Sequence, residues 1–180
     1  MGRGVVALAV AGLVLAGCGS ANTDPWREVA VPGAAGDTAG QCGPVGVMDV
    51  PAGWKVEPPN RTYKAGALYI KCVITTGKSE DGTLEVYDSH SDTVPPPRQV
   101  IQDGIDPGND PTNIDIRDLA IGTSHGAEAT WTTGYQNRAF VYRVESTDRT
   151  MLIIATGAKA EKYDEVLLPA YLLARKSIHD

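Results

Sequence analysis

The sequence predicts an α+β domain built on an antiparallel sheet, and three observations carry that expectation. Leu68 to Thr75 sets Leu68, Ile70, Cys72 and Ile74 on one side and Tyr69, Lys71, Val73 and Thr75 on the other. That is the period-two pattern of a half-buried strand. Between Ile114 and Thr156, four more β-prone runs are separated by turns containing Gly, Asn and Asp, for which sequential antiparallel pairing is the economical topology. A closing run, 160–177, places Tyr163, Val166, Leu167, Ala170, Leu173 and Ala174 on one stripe at helical spacing.

Size and charge narrow the function classes. The chain has 180 residues, enough for one domain with an appendage. Hydrophobic residues make up 42%, and 22 Asp and Glu outnumber 16 Lys and Arg for a net charge of −6. An acidic chain lacks the basic footprint of a nucleic-acid binder, so no nucleic-acid partner is expected.

The amino end sets the expected address. A basic Arg3 precedes an uncharged run in which Val5–Leu15 is apolar, followed by Gly17-Cys18. This run is too short to span a bilayer and has the length of a secretory core. Leu15-Ala16-Gly17-Cys18 resembles the lipobox of bacterial lipoproteins. The resemblance implies a signal peptide over 1–17, a diacylglyceryl group on the Cys18 thiol, cleavage before Cys18 and a palmitate-type acyl chain on the new amino group. Two acyl chains hold far better than one. The expected location is the cell membrane, lipid-anchored on the extracytoplasmic side. With Cys18 assigned to lipid, Cys42 and Cys72 remain as an even pair in an exported chain, which predicts a disulfide. Two reduced thiols are the bland alternative; a zinc site is remoter still, since no second Cys or His stands at ligand spacing.

Beyond Cys18, residues 19–41 hold four Gly, two Pro and five Ala. They read as a flexible tether of roughly 25–30 Å, with a binding peptide around Pro25-Trp26-Arg27-Glu28 as the alternative. The globular domain is expected over 42–180. A short strand spans 45–50, and a second extended piece comes after the turn at Pro51-Ala52-Gly53-Trp54. After the Leu68–Thr75 strand, a polar turn at 77–82 leads into another strand at 83–87. Pro95-Pro96-Pro97 cannot sit in a central strand and introduces a helix over 97–104 with Val100 and Ile101 inward. A loop, 106–113, precedes strands at 114–121, 128–133, 139–144 and 150–156. Met151-Leu152-Ile153-Ile154 is apolar on both faces and should be central. Pro169 should bend or divide the closing helix.

Pro51, Gly53 and Trp54 near the first strands, with the apolar 151–156 run leading through Gly157 into the terminal helix, resemble a secreted actinobacterial-type lipoprotein carrying a PsbP-like domain. The resemblance spans about 45–177. It implies a central antiparallel sheet flanked by helices on both faces, an α/β/α sandwich, and members that act by binding partners. It transfers no catalytic residues.

Candidate chemistry has a bland reading at every point. Gly122-Thr123-Ser124-His125-Gly126 matches the nucleophile elbow G-x-S-x-G, which would make Ser124 a hydrolase nucleophile. Residues 127–133 are β-prone rather than helical, and the only later His is His179, beside a carboxyl end expected to be mobile, so a hairpin turn explains the pentapeptide better. Asp103, Asp106, Asn109, Asp110, Asn113 and Asp115 could offer oxygens to calcium, yet they are also ordinary turn residues. His90, His125 and His179 lack metal-ligand spacing. Trp54, Tyr63, Tyr69 and Trp131 read as core anchors or as the walls of a groove. No metal and no cofactor are expected. The leading function is a non-catalytic, membrane-anchored lipoprotein that binds an envelope protein or a small ligand. The alternative is a small-molecule or lipid carrier with a pocket between sheet and helix, and the remote one is a serine hydrolase using Ser124.

Overall fold

The computed structural model describes residues 24–43, 46–89, 95–121, 124–144 and 149–179. The lipobox with Cys18, the signal peptide over 1–17, Val45, His90, Gly122 and Thr123 lie outside them. Strands β1 (Ala34–Asp37) and β2 (Asp49–Pro51) pair as a small antiparallel ribbon. Strands β3 (Lys55–Glu57), β4 (Lys64–Ala65), β5 (Leu68–Thr75) and β6 (Thr83–Asp88) build one half of the main sheet. Helix α1 (Pro97–Gly104) then carries the chain to the opposite edge. From there β7 (Thr112–Ile121), β8 (Ser124–Thr132), β9 (Gln136–Val144) and β10 (Arg149–Thr156) return as an antiparallel meander. The spatial order is β3-β5-β6-β10-β9-β8-β7, with β4 also pairing with β5.

Strand β10 closes the sheet by pairing with both β9 and β6, so it is the middle strand, as its two apolar faces require. Met151 and Ile153 enter one core with Phe140, Cys72 and Tyr171, whereas Leu152 and Ile154 enter the other with Val100, Ile101 and Val141.

Strand β5 departs from the simple alternation. Its register with β6 slips between Ile70 and Cys72, so Leu68 and Ile70 join the α1-side core while Cys72 and Ile74 join the opposite one. A bulge inserts one residue and turns the later side chains over. Cys72 is buried, and its disulfide to Cys42, with Cα atoms 5.1 Å apart, ties the segment after β1 to the sheet.

The carboxyl end consists of α2 (Ala160–Lys162), a π-turn at Tyr163–Leu167 and α3 (Leu168–Ser177). Leu168 N–H reaches back to Tyr163 O in the wide turn, and Pro169, lacking an N–H, sits in the first turn of α3 where none is needed. The expected interruption is therefore a π-turn between two helical pieces. Helix α3 is buried nearly all round, from Leu168 to Arg175 except for Pro169, because the sheet lies on one side and residues 24–31 and β2 on the others. Beyond it, His179 and Val47 exchange backbone hydrogen bonds of 2.9 and 3.0 Å, so the carboxyl end is pinned where the sequence suggested mobility.

Two expectations are corrected. The fold is mostly β, an eight-stranded antiparallel sheet with about 23% helix and one long carboxyl-terminal helix, not an α/β/α sandwich flanked by helices on both faces. Eight residues of α1 reach only about 12 Å, against roughly 30 Å across seven side-by-side strands, so the helix covers only part of that face, and Ala65 of β4 and Ile105 after α1 join the core beside it. Residues 24–41, expected to be tether, lie on the domain: they carry β1, and Val29 and Val31 pack against the core on the α3 side.

Candidate functional site

The open part of the α1 face forms a cleft of about 320 Å³ between the sheet and the loop after α1. Tyr63, Tyr87 and Trp131 supply aromatic surface, and Glu85, Asp106 and Asn109 supply polar groups. A hollow of about 310 Å³ adjoins it, with Tyr63 and Glu85 lining both. Alternation in β6 places Glu85 and Tyr87 together on this face, and the Tyr87 hydroxyl donates to Glu85 Oε2 at 2.6 Å. Burial, then the Glu85 charge and hydrogen bond, push the Tyr87 phenol far above its usual range, so it stays a neutral donor. Asp106 caps the 3-10 turn at Pro107–Asn109, accepting from Gly108 N–H at 2.8 Å and from Asn109 Nδ2 at 2.9 Å. Buried Asn137 donates to Tyr135 O and Thr133 Oγ1 and accepts from Thr156 Oγ1 at 2.6 Å, which fixes the rim at the β8–β9 turn. The groove thus offers fixed hydrogen-bonding groups beside aromatic surface, the mixture that orients small polar ligands.

The opposite face carries a buried charge cluster. Glu128 on β8 is fully buried beneath three guanidinium groups. Register brings Arg117 of β7 directly opposite it, and Arg117 Nε donates to Glu128 Oε2 at 2.9 Å. Arg138 of β9, also fully buried, donates through Nε to Glu128 Oε1 at 2.9 Å. Arg175 Nη1 and the Tyr171 hydroxyl, both from α3, reach the same oxygen at 2.8 Å. Burial pushes the Glu128 carboxyl up, but the Arg138 and Arg175 charges, with hydrogen bonds from Arg117 and Tyr171, outweigh it and hold the group below its usual range.

Residues 24–31 form a strap over this cluster. Arg138 Nη1 donates to Arg27 O at 3.0 Å, and Trp26 lies over Arg117 with the guanidinium carbon 4.1 Å from the ring centroid. Trp26 Nε1 donates to Asp115 at 2.8 Å, and Arg27 pairs with Asp164. Glu28 accepts from Arg175 Nη2 and lies 3.2 Å from Lys176 Nζ. The peptide around Trp26 thus binds its own domain.

The residues singled out in sequence are dispersed. Ser124 opens strand β8 and is buried, His125 is exposed on the same strand, and no helix comes after them there; the strand–turn–helix setting of a nucleophile elbow is not formed. A Cβ on Gly126 would lie 2.2 Å from Val141 O, so this glycine serves the approach of β9. Asp103 accepts from Gln99, Asp106 from its own turn and Asp115 from Trp26. Among the described residues, no group of three or more His, Cys, Asp or Glu is placed to hold a metal ion. Trp131 and Tyr63 do line the groove. The Arg117–Glu128–Arg138–Arg175 cluster escaped sequence reading, because a Glu alternating with Ala127, Ala129 and Trp131 has the pattern of an ordinary solvent-facing position.

Fold and surface define a disulfide-clamped, β-rich domain with a ligand-sized groove on one face of its main sheet and a strapped ionic cluster on the other. Residues 18–178 match a family described as uncharacterised lipoprotein, and the chain belongs to that family. No curated protein matches the chain.

Proposed function

We propose that this lipoprotein is held through acylated Cys18 on the extracytoplasmic side of the cell membrane, and that its domain works by binding a small polar ligand in the α1-face groove rather than by catalysis. The groove carries the reading. It lies between the sheet and the loop after α1, its polar groups are fixed by neighbours, and Tyr63, Tyr87 and Trp131 bring aromatic surface to it. The address rests on the lipobox resemblance, the family match and a disulfide suited to an oxidising compartment.

Native mass spectrometry of the protein extracted from its own membranes tests both parts. The expected result is a chain beginning at an acylated Cys18 that carries a non-covalent ligand, with the ligand lost in Tyr63→Ala and Asn109→Ala. An unacylated Cys18 would overturn the address. A folded wild-type chain that retains no ligand, and binds none from a small-metabolite panel, would overturn the binding role.

A further inference from the structure

We propose that the hollow between the β7 edge and the end of α3 is a binding site for an oxyanion of the phosphate class, occupied in this structure by the Glu28 carboxylate. The hollow has a volume of about 360 Å³ and is lined by Arg117, Arg175 and Lys176, with Leu119 and Ile121 as an apolar flank. The sheet carboxylate that these cations reach is Glu128, whose oxygens already receive Arg117, Arg138, Arg175 and Tyr171. Arg175 Nη2 and Lys176 Nζ turn the other way, and the acceptor they meet comes from the strap. Glu28 therefore stands where a ligand oxyanion would.

Magnitude makes the exchange feasible. The Glu28 side chain is 47% exposed although Arg175 is only 8% exposed, so water competes for the carboxylate and weakens its hold on the two cations. A phosphate group brings more charge and more acceptors to the same two cations, and guanidinium geometry suits it. The strap need not unfold. Trp26 on Arg117, Arg27 O on Arg138 and Arg27 on Asp164 hold it from either side, so rotation of one side chain opens the site. The apolar flank favours a phosphate ester with a non-polar neighbour. Such a group could be a soluble ligand or a lipid headgroup, since the six-residue step from Cys18 to Asp24 spans at most about 22 Å.

The test uses the full mature chain in nanodiscs of an uncharged glycolipid or of phosphatidylglycerol, monitoring Arg and Lys side-chain NMR signals. In the glycolipid discs, added inorganic phosphate is expected to shift Arg175 and Lys176 while chloride at equal ionic strength does not. Glu28→Gln should tighten phosphate binding about two- to fivefold, and Lys176→Gln should weaken it; both side chains are exposed enough to leave the fold intact. The same shifts in phosphatidylglycerol discs without added phosphate would assign the headgroup as the source, and shifts confined to added phosphate would assign a soluble ligand. No shift in either disc, or equal affinity in wild type and Glu28→Gln, would overturn the proposal.

Discussion

Glu128 concentrates the residue-scale physics. A carboxylate with no solvent exposure is tolerated because three guanidinium groups and a phenol reach it; removing one partner of a buried ion pair costs about 3–5 kcal/mol. Glu128→Gln is therefore expected to lower the stability of the folded chain by that order at neutral pH. The pH dependence has a definite sign. A depressed native pKa stabilises the fold fully above the ordinary carboxylate range, and the contribution fades as pH falls through the native value. The gap between wild type and Glu128→Gln should thus narrow in denaturant melts run from about pH 7 down to about pH 3. A gap independent of pH would show that the charge is not what Glu128 contributes.

At the scale of elements, close backbone approach and register govern the sheet. Gly126 faces Val141 O so closely that a Cβ has no room; Gly126→Ala must push β8 from β9 and is expected to cost about 3 kcal/mol. Thermal melts would give the loss, and amide exchange should speed up first along the β8–β9 ladder; unchanged exchange there would contradict the packing. In sequence the same glycine belongs to a pentapeptide that matches a catalytic motif and reads better as a hairpin turn; neither reading reveals the carbonyl on the next strand, because a motif reports spacing along one strand only. The β5 bulge has the same lesson. Alternation over Leu68–Thr75 located the strand and its ends correctly, yet the slip beside β6 sends Ile70 and Cys72 to different cores.

For the whole molecule, the Cys42–Cys72 bond and the strap join the amino-terminal third to the sheet. The bond closes a sequence separation of 30 residues, worth about 3–4 kcal/mol in the chain-entropy view. Cys42→Ser and Cys72→Ser should lose stability equally in denaturant melts, and the double variant should lose no more than either; additive losses would mean the sulfurs act separately. The strap gives the domain two unlike faces, a groove beside α1 and an ionic face beneath residues 24–31.

Strands β5, β6 and β10, helix α1, the central place of Met151–Ile154, the disulfide and the lipoprotein character were all legible along the chain. Each comes from a period, a turn, a proline run or a cysteine count within one stretch of sequence. The shortness of helical cover, the strap on the sheet and the Arg117–Glu128–Arg138–Arg175 cluster were not. They depend on which residues meet across strands, from Glu28 on the strap to Arg175 on the last helix. Periodicity assigns a side chain to a face; it takes register and the closing of the sheet to say which charge waits on the other side.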